Sequence, residues 1–372
     1  MGADRSHFVA SISIFQRKER HGVLLNLTDH FVQLARISGL DERPLTVDRF
    51  AELPGNDEEA ITRWLRETFP DHTGGYLPGY CSFHPHERLL LRETLNPRRL
   101  TEQGYLSGLV AEHAKLSSTK EWHIAALHPS EGMPLTPEST ARAGLLLGVP
   151  WTAVRENQNL LRKWGIRPRR LEVGTLPLLG GLARHLNLTA YPHALVVCEI
   201  THTQTKIYLL GKDGVHTPPS LPHGLLSIEE AAMKELGAPD VATARRHLEE
   251  PTEELRAHGR RLVRMLSRHL RPAVDYFEMQ TGQRIGALFC AHLPSRLAWI
   301  EHALSVAVDL DLFSPDFLAW LPAVGLQTGD SPVPNHSWLQ PLSLVGQLIP
   351  GPAAPTPPLA PATTPASHDQ KS

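Results

Sequence analysis

"ALVVCEITHTQTKIYLLGKDGV", residues 194–215, is the stretch on which the reading of this chain turns. An apolar run leads into a polar turn, a second apolar run follows, and Gly211 to Gly214 mark another hairpin, so the segment predicts a pair of antiparallel strands. In many folds a turn so placed holds a carboxylate and a glycine against the phosphates of a nucleotide. Here the turn carries Glu199, Thr201, His202 and Thr203 instead. Whether the chain is an enzyme depends on what those residues do.

Composition bounds the answer. At 372 residues the chain is long enough for two or three compact subdomains, because single cores seldom grow past about 250–300 residues. With 37 Lys and Arg against 39 Asp and Glu, the formal charge of -2 gives no global field that argues for nucleic acid or an anionic bilayer. Cys81, Cys198 and Cys290 are odd in number, far apart in sequence and set in apolar stretches, which fits reduced buried thiols rather than a disulfide framework or a zinc site. No cleavable leader and no apolar run of about 18 residues is visible, so the expectation is a cytosolic protein. The Met-Gly start with Ser6 has the spacing of a myristoylation signal, but a pattern this short recurs by chance.

Along the chain, residues 22–38 read as a β-hairpin with turn chemistry at Asn26 to His30. "NDEEAITRWLRETFP" reads as an amphipathic helix with Asn56 as N-cap and Pro70 as stop, and "GYLPGYCSF" as a strand. Residues 84–171 change character: strand "HERLLLRETLNP", helix "RRLTEQGYLSGLVAEHAKL", strand "EWHIAALHP", short strand "PWTAVRE" and helix "ENQNLLRKWGIRPRRLEVG" suggest a small α+β unit with its own sheet. A second layout starts near 191 with another hairpin, followed by the helix "SIEEAAMKELG", a long helical stretch over 253–281, the strand "RIGALFCAH" and the helix "SRLAWIEHAL". From 351 the chain is Pro-, Ala- and Thr-rich with almost no large apolar residues, and a disordered tail is expected.

Two hairpin-led halves with a small insertion resemble the actin-like ATPase fold, and within it the family of the type IV pilus assembly protein PilM and its relative FtsA, over roughly residues 20–328. "RKWGIRPRRLEVGTLPLLGGL" resembles the end of that family's inserted subdomain through Gly165, Pro168 and Glu172. "HGLLSIEEAAMKELG" resembles its segment after the second hairpin through Gly224, Ser227 and Ile228, and "SPDFLAWLPAVGLQT" its closing motif through Pro315, Gly325 and Leu326. The resemblance implies two ribonuclease-H-like halves. It places the first large subdomain at 7–83 and 172–190, the insertion at 84–171, the second large subdomain at 191–227 and 283–328, a helical subdomain at 228–282, and a linker and tail at 329–372.

The departures from the family concentrate in its nucleotide loops. Where the family has Asp-Ile-Gly and then Lys, this chain has Asn26, Leu27, Thr28 and then Gln33; the second Asp-Ile-Gly becomes Glu199, Ile200, Thr201; the adenosine-side Gly-Gly becomes Ala291 and His292. Glycine lets backbone N–H groups come close to phosphate, and a β-branched residue obstructs that approach. Loss at all three places points to a relic site comprising Asn26, Thr28, Gln33, Glu199, Thr201, His202, Gly224, Ala291 and His292, with no catalytic residue and no cofactor. The resemblance further implies a scaffold of a pilus assembly platform. It would bind the N-terminal cytosolic peptide of a PilN-like inner-membrane protein in a groove near Leu89, Leu91, Leu95, Trp122, Ile124 and Leu127, and reach the membrane only through partners, among them a motor ATPase.

Two rival readings stay open. An active ATPase or phosphotransferase with altered loops would bind ATP with Mg²⁺, and a GspL-like cytoplasmic subunit of a type II secretion platform would dock a secretion ATPase. The bland readings of other features are kept: His84 and His86 form an i, i+2 pair with no recognisable third ligand, so no metal is expected. The basic run 162–170 reads as the solvated end of a helix.

Overall fold

The computed structural model describes residues 21–40, 44–72, 74–115 and 121–346. The reading of Ser6 and that of the Pro-rich tail from 351 lie outside the described residues. The first half opens with the meander β1 (His21–Leu27), β2 (Phe31–Ser38) and β3 (Leu45–Pro54), then α1 (Glu58–Thr68) and β4 (Leu77–Phe83), which returns parallel to β1. The chain leaves for the insertion, β5 (Leu89–Thr94), α2 (Tyr105–Ala114), β6 (Trp122–Leu127) and β7 (Ala143–Pro150), a three-stranded sheet in the order β5-β7-β6. It comes back through α3 (Trp151–Lys163), β8 (Ile166–Val173) and α4 (Leu176–Leu188).

The second half repeats the plan with β9 (Ala194–Ile200), β10 (Thr205–Gly211) and β11 (Gly214–His216). Helices α5 (Leu225–Leu236), α6 (Val241–Glu249), α7 (Glu253–Ala257), α8 (Gly259–Leu262) and α9 (Arg264–Thr281) follow, then β12 (Ile285–Ala291), α10 (Trp299–Val308) and β13 (Asp311–Leu312). The chain ends its described part with α11 (Phe317–Ala323), β14 (Leu326–Thr328) and α12 (Leu339–Gly346). The two large sheets run β14-β3-β2-β1-β4-β8 and β11-β10-β9-β12-β13. Leaving out β14, both have the same order: third, second and first strand of an antiparallel meander, then two parallel strands. This repeat is the doubled ribonuclease-H-like architecture.

Layering explains the hydrophobic pattern. All seven residues of β9 are buried, because this central strand has cover on both faces; such strands read as continuous apolar runs rather than alternating ones. One face joins Val196, Cys198 and Ile200 to Ile228, Leu262, Leu270 and Ile300 from the outer helices. The other joins Leu195 and Val197 to Leu178, Leu182, Trp320 and Leu342 of α4, α11 and α12, which also bury Leu24 and Ile37 of the first sheet. Leu161 and Trp164, with Ile61 and Leu65 of α1, cover the first sheet's outer face.

Several boundaries differ from the sequence reading. "PWTAVRE" is not a strand: the strand ends at Pro150, which sits extended as the N-cap of α3. The helix read through Gly174 stops at Lys163, where Gly165 takes φ 73, a left-handed conformation that glycine adopts without a Cβ clash. "IRPRRLEV" is then an edge strand of the first sheet, the place in a sheet that tolerates Pro168, so the insertion ends near residue 150 rather than 171. The basic run is the end of α3 and this strand. β14 pairs with β3, moving 326–328 into the first half. Residues 228–282 share one core with the second sheet. The part of 329–372 read as linker includes α12, whose Leu339, Leu342, Leu344 and Val345 are fully buried. Finally, Asp57 rather than Asn56 caps α1, its Oδ1 accepting from Ala60 N at 2.9 Å.

Candidate functional site

The turns between β1 and β2 and between β9 and β10, with the ends of β4 and β12, converge where the halves meet. The strand order puts the four chain segments there. At the first turn stands Thr28, read from the sequence as the replacement of a phosphate-loop glycine. Its Oγ1 accepts from the backbone N–H groups of His30 at 3.3 Å and Phe31 at 3.1 Å, and donates to Phe31 O at 2.8 Å. The side chain thus takes the donors that the turn would offer an anion.

The second turn is built the same way. Thr201 Oγ1 accepts from Gln204 N at 3.4 Å and donates to Gln204 O at 2.9 Å. At the start of α5, Leu225 N and Leu226 N donate to Thr201 O and His202 O at 3.0 and 2.9 Å, so this helix end faces carbonyls of the chain itself. Gly224 allows that approach, since a Cβ there would lie 2.4 Å from Thr201 O. The tips of the two turns meet as His30 and His202, whose ring centroids are 5.9 Å apart, and burial pushes His30 below its ordinary value.

Beneath the tips lies a buried polar network. Asn26 Nδ2 donates to Gln33 Oε1 at 3.0 Å, while its Oδ1 accepts from Ser82 at 2.7 Å and from Gln340 of α12 at 3.3 Å, and lies 3.0 Å from His84 Nε2. Gln33 in turn donates to Ser337 at 2.9 Å. Glu199 is fully buried: Arg88 donates to its Oε1, Thr175 to its Oε2, and Tyr208 to Oε2 at 3.2 Å. A buried carboxylate without such partners would carry a desolvation penalty of several kcal/mol. Arg88 therefore sets a positive charge against this carboxylate. Its guanidinium passes over Gly174, where an added Cβ would lie 2.6 Å from Nε.

Lys206, next to Arg88, is pushed down to about 7 by burial and then by the guanidinium's charge. His292 follows β12 at φ 69, keeping in a histidine the left-handed backbone that glycine adopts most easily. Its ring meets that of His84 edge-on, centroids 3.8 Å apart, and burial pushes both imidazoles well below their ordinary value. Ala291 pairs with Glu199 across the sheet.

All nine residues read as the relic nucleotide site thus lie around one junction. Sequence reading missed Arg88, Tyr208, Thr175, Ser82 and Gln340, which close it. One signal was available: a carboxylate inside the run "ALVVCEI" needs a buried cation or donors. His84 is buried and its expected companion His86 is exposed, near Asp29 at 3.7 Å. Instead His84, Glu199 and His292, all buried, each bring one possible ligand atom to within 4.8 Å of the others. Two imidazoles and a carboxylate are residue types that ligate metals.

The expected peptide groove is divided by the insertion's pleat. Cross-strand register puts Leu89, Gly148 and Ile124 in one row, so Leu89, Leu91, Trp122 and Ile124 share a face. Helix α2 covers that face: Gly148 lies against Trp122 and Val110. Leu127 is on the opposite face, packed in the core with Leu145 and Val215. Leu95 belongs to the small core with Ala126 and Leu135, yet also lines an open hollow of about 840 Å³ with Asn96, Arg98, Tyr105, Pro137 and Arg142.

Fold and junction together define the chain as a protein of the actin-like ATPase fold, with two ribonuclease-H-like halves and an inserted α+β unit. Among solved structures it is similar to the "PilM-PilN type IV pilus biogenesis complex", with 17% identity and a TM-score of 0.62, covering 89% of this chain and 98% of that one. Looser matches include a protein of Bacteroides thetaiotaomicron with an actin-like ATPase fold (8% identity, 80% of this chain and 92% of that, TM-score 0.41). Another is the cytoplasmic domain of EpsL, an inner-membrane component of the Vibrio cholerae type II secretion system (10% identity, 88% and 94%, TM-score 0.39). No protein-family profile matches the sequence. No curated protein matches it either. Among the described residues no helix is long and apolar enough to cross a membrane.

Proposed function

We propose that this protein is a nucleotide-independent scaffold of a type IV pilus assembly platform, receiving the cytosolic N-terminal peptide of a PilN-like inner-membrane protein and held at the membrane through that partner. The observation that carries the reading is the similarity to the PilM-PilN complex over 98% of that chain. Independence from nucleotide is supported by the junction itself, where Thr28 and Thr201 take the turn donors and Arg88 takes the carboxylate. A peptide-capturing scaffold works through pockets and backbone hydrogen bonds and needs no turnover. The hollow beside Leu95, rimmed by Arg98, Tyr105 and Arg142, suits an extended peptide.

The test is calorimetric titration of the full chain with ATP and Mg²⁺, sensitive to a dissociation constant of about 1 mM, and separately with the N-terminal peptide of the PilN-like protein of the same genome. Peptide binding that is unchanged by ATP, with no saturable heat from ATP, is the expected result. Saturable Mg²⁺-dependent ATP binding would sink the nucleotide-independent reading and turn attention to Glu199, Asn26 and Gln33. Failure of the peptide to bind would sink the scaffold assignment.

A further inference from the structure

We propose that His84, Glu199 and His292 form a binding site for one divalent transition-metal ion of the zinc type, which fastens the two halves together across the junction. The proposal rests on the reading of this junction as free of nucleotide.

Three observations carry it. The first is donor chemistry and placement: two imidazoles and a carboxylate, all buried, offer ligand atoms within 4.8 Å of one another. Two histidines and one glutamate form a donor set that zinc accepts, with a position left for a further ligand. Magnesium, which demands oxygen ligands in octahedral array, is disfavoured by the same set.

The second observation is a pair of unsatisfied atoms. His84 Nδ1 and His292 Nε2 are buried without a hydrogen-bond partner. Buried ring nitrogens nearly always have one, and two rings in edge-on contact that each lack one need a reason. The other nitrogen of His84 is held, Nε2 lying 3.0 Å from Asn26 Oδ1 and 2.8 Å from Gln340 Nε2. A metal on Nδ1 selects the tautomer in which Nε2–H donates to the Asn26 carbonyl, the outer contact that orients ligating histidines, and it requires the Gln340 amide to present its oxygen rather than its NH2 to that N–H. The third is backbone strain: His292 is held at φ 69 in a buried site, and such outliers collect where function fixes a side chain.

The ligands come from both halves, His84 from the end of β4 and Glu199 and His292 from the ends of β9 and β12. An ion there ties the two halves at their junction. Arg88 already donates to Glu199 Oε1, so ion and guanidinium share one carboxylate, and their competition tunes the affinity.

The test uses the full chain without a histidine tag, freed of metal by chelation and titrated with Zn²⁺ against a chromophoric competitor. A parallel titration uses Co²⁺, whose visible bands report tetrahedral nitrogen and oxygen ligation. The expected result is one tight equivalent of Zn²⁺, a Co²⁺ spectrum of that type and a rise in melting temperature of about a few degrees at saturation. His84→Gln with His292→Asn removes the tight equivalent and the Co²⁺ bands; asparagine suits the positive φ of residue 292. Equal Zn²⁺ stoichiometry and affinity in the parent and the variant would mean ligation by other histidines and overturn the proposal. So would an octahedral Co²⁺ spectrum in the parent, a measurement that holds even where the variant fails to fold. Mg²⁺ with ATP is titrated in a separate arm, so that nucleotide binding, which defeats the proposed function, is read apart from the absence of zinc binding.

Discussion

Arg88 and Glu199 are the pair on which the closed junction depends, and replacing Arg88 by Met tests this directly. The two side chains are 3% and 0% exposed, so removing the cation leaves an uncompensated carboxylate in the interior. Breaking a buried pair in this way costs about 3–5 kcal/mol, whereas replacing both partners by apolar groups is often close to neutral. Thr175 and Tyr208 still donate to Glu199 in the variant, which places the expected loss at the lower end, about 3 kcal/mol. At roughly 2 °C per kcal/mol for a large chain, the melting temperature falls by about 6 °C. Scanning calorimetry of Arg88→Met, Glu199→Leu and the double variant forms a thermodynamic cycle, whose coupling term is expected to exceed about 2 kcal/mol. The double variant should then melt above the Arg88 single variant. A drop of less than one degree in Arg88→Met, or strictly additive single changes, would refute the claim that these groups satisfy one another.

Gly174→Ala is expected to destabilise the fold by more than about 1 kcal/mol and to displace Arg88, because residue 174 has φ 66 and the new methyl would meet Nε; urea melts that match the parent would show that the guanidinium packs elsewhere. Trp338→Ala removes a buried ring that packs edge-on against Phe50 at 4.9 Å, and should cost about 3–5 kcal/mol; an effect below about 1 kcal/mol would return residues 335–346 to the status of a linker. His336 Nε2 donates to Glu301 Oε2 at 2.6 Å, and although burial opposes its charged form, the hydrogen bond and charge of Glu301 leave it above its ordinary value. The folded state thus holds the proton more tightly than the unfolded chain. This contribution is whole below about pH 6.5 and is lost as pH rises through the raised value, by at most about 1.4 kcal/mol per pH unit. Urea melts at pH 6 and 8.5 should show that decline in the parent and less of it in His336→Gln; equal slopes would count against the pair.

The sequence revealed the repeated hairpins because β1, β2, β9 and β10 are bounded by turn residues and are apolar enough to be recognised alone. It misled at residues 151–173, where "WTAVRE" alternates like a strand and "IRPRRLEV" is polar enough to pass for a helix end. What decides those segments is tertiary: Leu161 and Trp164 have the outer face of the first sheet to cover, and β8 has the edge of β4 to pair with. The partners of the junction were hidden for a related reason. Arg88 lies 111 residues from Glu199 and Gln340 lies 314 from Asn26, and no local pattern links them. The threonines carry the sharper lesson. From sequence, Thr28 and Thr201 stand only as obstacles to phosphate, which describes a site that has lost its parts. In the structure each hydroxyl takes its own turn's N–H groups, and Arg88 meets the remaining carboxylate. A decayed loop would leave those donors and that charge unsatisfied at a cost of about 1–3 kcal/mol for each. Here the turn donors are met within each turn and Glu199 is met by Arg88, the arrangement expected of the nucleotide-independent scaffold proposed above.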